Sequence, residues 1–143
     1  MVDYFMDKAE KRCVVPVSIG ELWDKYSILL IKKKKIAEPE KLGLVDIEIG
    51  ELQPIIDNFD ISQTSRDQMF DVNMTLWELE DTIRDMECNQ SFGKEFIETS
   101  RLIYSTNDKR YDIKRQINRE HGSTIMEVKS YKNQNYITTC QEI

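Results

Sequence analysis

The sequence feature that most constrains the fold is a run of apolar residues spaced alternately three and four positions apart. The run consists of Met69, Val72, Leu76, Leu79, Ile83 and Met86. This spacing places the side chains on one face of an α-helix, and such a seam leaves water only by packing against other helices. The chain is therefore predicted to form a helical bundle.

Patterns of the same kind predict two earlier helices. Ser18 and Glu21 have the spacing of a capping box, and apolar residues follow at helical intervals until Pro39 ends the helix at about residue 38. Residues 40–59 form a second, less regular helix, because Pro54 and two glycines interrupt its apolar face.

The later helix boundaries are also marked by capping residues. Ser65 with Gln68 has capping-box spacing and is predicted to begin the helix that carries the long seam. Ser91 is predicted to begin a further helix, which either restarts near Asn107 or continues unbroken. Gly122 is predicted to end it, because glycine readily adopts the left-handed conformation that follows many helices.

These elements together predict an all-α fold, an antiparallel bundle of four to five helices with short connections. Five glycines and three prolines are too few for a loop-rich all-β chain. The 143 residues have the length of one domain, and we expect loose order at 1–13 and 132–143. Short extended segments are expected near 13–17 and 124–129, where they could pair with each other.

Composition excludes several classes of protein. The net charge of -6 is concentrated in residues 38–90 and makes a nucleic-acid partner improbable, although the positive segments on either side could form a local anion site. Three cysteines without C-x-x-C spacing and one histidine argue against a disulfide framework and a zinc site. No stretch has the length and apolarity of a membrane span, so a cytoplasmic protein is predicted.

The first group of candidate site residues lies beside the apolar seams. Lys25 and Lys32 are seven residues apart on the first predicted helix. The helix with the long seam contributes a second set: Asn73, Trp77, Glu80, Arg84 and Glu87. These side chains either form interhelical ion pairs that fix the register of the helices, or line a polar pocket that binds a ligand.

The second group forms a stripe with spacings of three, four, three and four residues. It consists of Tyr104, Asn107, Tyr111, Lys114 and Asn118. Aromatic, amide and lysine side chains on one face suit a phosphate, a sugar or a partner helix. The alternative is a solvated surface on which tyrosine and lysine side chains lie along the core.

The third group is two pairs of carboxylates, each pair one helical turn apart: Glu48 with Glu51, and Glu78 with Asp81. This layout is similar to that of the all-α nucleotide pyrophosphohydrolases, in which such pairs bind Mg²⁺ and a triphosphate. Carboxylate oxygens are suitable ligands for Mg²⁺, which would polarise the phosphate. Because residues 38–90 are so acidic, the pattern also arises by chance.

Four segments carry a resemblance to a known family: VSIGELWDKYSILLIK (17–32), LWELEDTIRDME (76–87), YSTNDKRYDIKRQIN (104–118) and GSTIMEVKSY (122–131). They resemble a family of short uncharacterised proteins of bacteria and viruses, some of them encoded near genes for glycan synthesis. The resemblance covers residues 14–131 and implies no known activity. The residues that it assigns to the family pattern are Lys25, Trp77, Glu80, Arg84, Asn107, Lys114 and Lys129.

The sequence therefore favours a helical binding or adaptor protein without enzymatic activity or cofactor. Its partner would be a protein or a small anion such as a phosphate or a nucleotide sugar, and an anion site would need Lys25, Arg84 and Lys114 to converge. One alternative is the Mg²⁺-dependent enzyme on nucleotides, which needs the four carboxylates to face one cavity. Another is a structural homo-oligomer, because Ile28 and Ile31 widen the apolar face of the first predicted helix.

Overall fold

The computed structural model describes residues 12–131, which form four helices and no strand. They are α1 (Ile19–Lys35), α2 (Pro39–Ile56), α3 (Gln63–Cys88) and α4 (Lys94–Glu120). The all-α prediction is confirmed. The ends that we expected to be loosely ordered, 1–13 and 132–143, lie almost entirely outside the described residues.

Helix α1 packs against each of the other three helices, and α3 also packs against α4. Contacts along the helices define their directions. Tyr26 of α1 donates a hydrogen bond to Gln53 late in α2, and Gly20 at the start of α1 meets Asn118 at the end of α4. Helix α1 thus runs antiparallel to α2 and α4, as expected for an antiparallel bundle.

The core lies at the end of the bundle where α1 begins. Its buried members are Leu22, Trp23, Tyr26, Ile56, Ile61, Met69, Val72 and Ile117. Each such side chain contributes about 1.5–3 kcal/mol when it is fully removed from water. This core fixes the N-terminal halves of α1 and α3 against the C-terminal half of α4.

The predicted start of α1 is confirmed, because the Ser18 hydroxyl accepts the backbone N–H of Glu21 at 3.1 Å. The predicted end of this helix is three residues late. Helix α1 ends at Lys35, and Pro39 is the first residue of α2. Proline suits that position, since the first turn of a helix has no intrahelical partner for its N–H groups.

Helix α3 begins three residues before the predicted position. Ser62 is the cap, and its hydroxyl accepts the backbone N–H of Ser65 at 3.2 Å. Ser65 is instead buried inside the first turn. Both serines precede helix-forming residues, so local chemistry alone did not distinguish them.

Helix α4 is continuous and does not restart near Asn107, so the described chain has four helices rather than five. The prediction that Ser91 caps it is wrong. The Ser91 N–H donates to the Met86 carbonyl at 2.8 Å and so ends α3, while Gly93 precedes α4. Gly122 does end α4, with a φ of 62° and a bond from the Ser123 N–H to the Asn118 carbonyl.

Helices α3 and α4 extend beyond the core. At 1.5 Å per residue, the 26 residues of α3 span about 39 Å and the 17 residues of α1 span about 26 Å. Residues 79–98, which we call the distal hairpin, contain no fully buried side chain. The second half of the long seam, from Leu79 onward, is therefore only half-buried.

The segments near 13–17 and 124–129 do not pair with each other, because residues 12–131 contain no strand or bridge. Both segments are irregular. The first leads into α1, and the second returns along α4 after the turn at Gly122.

Candidate functional site

The side chain of Lys114 is buried between α1, α4 and the segment that follows α4. Its ammonium nitrogen lies 2.5 Å from Glu21 Oε2 and 3.4 Å from Asp24 Oδ2, both on α1. It also lies 2.8 Å from Glu127 Oε2. A buried charge is tolerated only when it is paired and hydrogen-bonded, and three carboxylates meet that requirement here.

The ionisation of this cluster reflects both burial and charge. Burial is the largest single influence on the pKa of Lys114 and acts to lower it. Hydrogen bonds to Glu127 and Glu21, with the charge of Asp24, outweigh burial and raise the pKa above 10.5. The hydrogen bond to Lys114 lowers the pKa of Glu127 below 4.5, against the opposing effect of burial.

Asp24 extends the cluster towards α3. Its Oδ1 atom accepts a hydrogen bond from Asn73 Nδ2 at 2.8 Å, and the same nitrogen lies 2.8 Å from the Ser27 hydroxyl. The other side of the Asn73 amide, Oδ1, accepts Arg110 Nη1 at 3.5 Å. A chain of polar contacts therefore connects Lys114 with Arg110 through two buried side chains.

Asn118 makes a separate polar contact at the start of α1. Its Oδ1 atom accepts the Gly20 N–H at 2.7 Å and so satisfies one free donor of the first helical turn. Its Nδ2 atom is buried without a partner in residues 12–131. Gly20 allows this approach because a Cβ atom there would lie 2.5 Å from the Lys114 carbonyl oxygen.

A pocket of about 310 Å³ opens beside this network, between α1, α3 and α4. Its lining residues are Ile28, Ile31, Asn73, Leu76, Trp77, Glu80, Asp81, Arg84 and Arg110. The structure thus brings together the candidate residues Trp77, Glu80 and Arg84 with Asn73. They lie on one face of α3, as their helical spacing predicts.

The pocket combines an apolar floor with charged side chains. Trp77 is half-buried, so part of its indole ring faces the opening. Arg84 is bonded to Glu80 of its own helix. Among the described contacts of Arg110, the bond to Asn73 is long, which leaves most of the five guanidinium donors for a ligand.

The second group of candidates does not form an open solvated face. Lys114 and Asn118 are buried against α1, and residues 123–131 cover the middle of the stripe. Lys129 Nζ lies 3.3 Å from the Asn107 carbonyl oxygen and 5.1 Å from the centre of the Tyr111 ring. Tyr104, nearer the distal hairpin, is exposed.

The lysines of the first group belong to other contacts. Lys25 binds Glu48 of α2 at 2.6 Å, rather than a carboxylate of α3, and Lys32 is half-buried near the end of α1. Lys25, Arg84 and Lys114 each bind different carboxylates. The three cations therefore do not form one anion site, which the binding hypothesis had required.

The four carboxylates of the metal hypothesis are not placed around one cavity. Glu48 binds Lys25, Glu51 binds Arg12 at 2.6 Å, and Glu78 lies 3.6 Å from Lys35, whereas Asp81 lines the pocket. Within residues 12–131 there is no group of three or more histidine, cysteine, aspartate or glutamate residues that could hold a metal ion.

The wide apolar face of α1 is largely covered within the chain. Ile31 is buried, while Ile28 is half-buried at the pocket. A central helix that contacts three others needs such a face, so the sequence feature that suggested a homo-oligomer has an intramolecular explanation.

Sequence reasoning singled out none of Asp24, Ser27, Arg110 and Glu127 as a site residue. A signal for the first two was present, because Gly20, Asp24 and Ser27 follow one another at helical spacing on a face that continues with Ile31. A small residue and two polar residues on such a face indicate close packing and a polar contact. Glu127 lies in a segment without periodicity, so no comparable pattern marked it.

A protein-family model, described as a family of unknown function (DUF6165), matches residues 13–141. The chain belongs to this family. The match includes all four helices and continues ten residues beyond 131, where the resemblance noted in the sequence had ended. No curated protein and no solved structure was found to match. The helices of the described residues include none with the length and apolarity needed to cross a membrane.

Proposed function

We propose that the protein is a non-enzymatic binding protein, and that a small anionic ligand binds in the pocket between α1, α3 and α4. We infer that the ligand contains phosphate, as expected from the sequence. It would be phosphate itself or a nucleotide sugar. The observation that carries the proposal is the placement of Arg84, Arg110 and Trp77 around one apolar cavity.

Each part of the pocket suits a part of such a ligand. A guanidinium group presents paired donors that match the oxygen atoms of a phosphate. The indole ring of Trp77 offers a flat apolar surface to a base or to the carbon face of a sugar. The carboxylates of Glu80 and Asp81 can accept hydrogen bonds from hydroxyl groups, which gives the pocket both charge signs.

The buried network supports binding by positioning one of these groups. Asn73 is held by Asp24 and Ser27 at 2.8 Å each, so its Oδ1 atom is fixed where it meets Arg110. A side chain that is positioned before the ligand arrives loses less conformational entropy on binding. We also propose a cytoplasmic location and no cofactor. A role in surface-glycan synthesis stays a prediction from the resemblance.

A thermal-shift screen tests this proposal, with inorganic phosphate, nucleoside triphosphates and nucleotide sugars, each with and without Mg²⁺. A compound at about 100 times its Kd should stabilise the protein by about 2.7 kcal/mol, without a need for Mg²⁺. Arg110→Gln and Trp77→Phe should abolish the shift. Lys109→Gln is the matched control, because Lys109 is exposed and does not line the pocket.

Three results would contradict the proposal. The first is the absence of any shift, which would make a protein partner the next candidate. The second is a shift that survives Arg110→Gln. The third is a shift that requires Mg²⁺ and is lost on Glu78→Gln, which would favour the nucleotide enzyme.

A further inference from the structure

Residues 123–131 form an irregular segment that lies against α4, and we call it the strap. Its larger apolar side chains face water: Val128 is 85% exposed, and Ile125, Met126 and Tyr131 are also exposed. Tyr131 is 54% exposed, Ile125 45% and Met126 37%, so apolar burial holds the strap only in part. Among residues 12–131, the polar contacts that attach the strap beyond the helix cap come from two charged side chains, Glu127 and Lys129.

Lys129 makes one attachment, in which its side chain and that of Asp108 are each 18% exposed. Its ammonium nitrogen lies 3.5 Å from Asp108 Oδ1 and stacks over Tyr111 and Tyr131. Glu127 makes the other: its own side chain is 39% exposed, and it reaches Lys114, whose side chain is 8% exposed. A segment without regular secondary structure, whose described polar attachments come from two side chains, can detach at a lower cost than the unfolding of a helix.

The attachment through Glu127 is connected to the pocket. Glu127 binds Lys114, Lys114 lies 3.4 Å from Asp24, and Asp24 binds Asn73 at 2.8 Å. Asn73 in turn accepts the bond from Arg110, a lining residue of the pocket. The strap and the pocket are thus the two ends of one chain of polar contacts, most of it buried.

We propose that the strap regulates the pocket, and that its attachment holds Arg110 in the position that binds an anion. This inference rests on the proposed function, since it concerns the same pocket. With the strap attached, Lys114 is shared among three carboxylates, and Asp24 remains free to hold Asn73. With the strap detached, Lys114 has only Glu21 and Asp24, and the stronger pull on Asp24 draws it away from Asn73.

Attachment and ligand binding then favour each other. Coupling between two sites is reciprocal. A ligand bound to Arg110 must therefore raise the equilibrium constant for strap attachment by the same factor by which attachment raises the affinity for the ligand. Coupling of this kind is typically on the order of 5- to 150-fold in affinity, and a single exposed carboxylate places the strap near the lower limit.

Tryptophan quenching tests the coupling without a ligand. The chain has two tryptophans, of which Trp23 is 5% exposed, so a dissolved quencher reaches mainly Trp77 in the pocket. Quenching by iodide, an anion, increases with positive charge beside Trp77. Quenching by neutral acrylamide depends only on how exposed the indole ring is, so the ratio of the two reports the charge. A unit charge about 6 Å away changes the local iodide concentration about twofold at 0.1 M salt. Arg110→Gln should therefore lower the ratio of iodide to acrylamide quenching about twofold.

The test variant is Glu127→Asp, which keeps the charge but shortens the side chain that reaches Lys114. It should accelerate trypsin cleavage after Lys129, because the strap detaches, and should move the quenching ratio most of the way to the Arg110→Gln value. Glu98→Asp is the control, since within the described part of the chain Glu98 pairs with Lys94 alone, at 3.5 Å on the surface of α4. It should change neither cleavage nor quenching.

Faster cleavage with an unchanged quenching ratio would overturn the inference. If the shorter side chain still reaches Lys114 and cleavage stays slow, a double-mutant cycle replaces this test. The quenching ratio is then measured for Glu127→Gln, for Arg110→Gln and for the variant that carries both substitutions. Additive effects in that cycle would also overturn the inference. A failed ligand screen with a coupled quenching ratio would refute the proposed function alone, whereas ligand binding without coupling would refute the strap alone.

Discussion

Replacing Gly20 with alanine should destabilise the protein, because α1 and α4 approach each other closely at this residue. The added methyl carbon would lie 2.5 Å from the Lys114 carbonyl oxygen and 2.8 Å from Asn118 Oδ1. The first contact is with helix backbone, which cannot rotate away. The second is with the atom that accepts the Gly20 N–H at 2.7 Å. The two helices must separate, or the hydrogen bond must break.

Three effects determine the magnitude. Forcing an extra methyl group into a packed interface costs about 1–3 kcal/mol. Leaving the buried Gly20 N–H without its acceptor costs about 1–3 kcal/mol. Alanine in place of glycine within a helix returns about 0.5–1 kcal/mol. The expected loss in the free energy of unfolding is about 2–4 kcal/mol, or about 5–15 °C in Tm for a domain of this length.

Urea denaturation followed by circular dichroism measures this loss, with Gly50→Ala as the matched control. Gly50 is also helical, but no atom lies within 4 Å of a Cβ built there. The control should gain about 0.5–1 kcal/mol from helix propensity alone. If Gly20→Ala unfolds at the urea midpoint of the unsubstituted protein, or shifts it in the same direction as Gly50→Ala, the close approach of α1 and α4 is refuted.

Two further predictions concern the buried lysine. Lys114→Met should lower the free energy of unfolding by about 3–5 kcal/mol in urea, because Asp24 stays buried without its cation; a loss under 1 kcal/mol would contradict this, and Lys109→Met is the exposed control. The hydrogen bond to Lys114 lowers the pKa of Glu127 below 4.5. The ion pair therefore stabilises the attached strap fully above pH 4.5, and this stabilisation is lost as the pH falls through the lowered pKa. Carbon-13 NMR of the Glu127 carboxyl group should show a midpoint below that in a free peptide of residues 123–131, and an equal midpoint would contradict the contact.

Local patterns in the sequence were sufficient for much of the fold and part of the site. Ser18 and Gly122 were placed correctly, because a helix cap depends on a few neighbouring residues. The grouping of Trp77, Glu80 and Arg84 was correct for a similar reason. Residues three and four apart on a helix share a face whatever the rest of the chain does.

The sequence did not show which helices are neighbours. Lys25 was expected to meet a carboxylate of α3, and it binds Glu48 of α2 instead. Periodicity places a side chain on a face but does not identify the element opposite that face. The strap was missed as a cover for the Tyr111 face for a related reason, since an irregular segment has no periodicity from which its position can be inferred.

The difference in length between α3 and α1 has a consequence for local unfolding. The distal hairpin consists of parts of α3 and α4 alone, without the α1 and α2 that protect the rest of the bundle. Near its tip, the rings of Phe92 and Phe96 pack edge to face. Such a region exchanges its amide hydrogens through small opening events that leave the core intact. Arg84 lies within the distal hairpin, which opens locally, whereas Asn73 lies in the protected part of α3. The pocket therefore includes residues from two regions that differ in local stability. A molecule that bridges Arg84 and Arg110 would extend protection from exchange into α3 beyond residue 79.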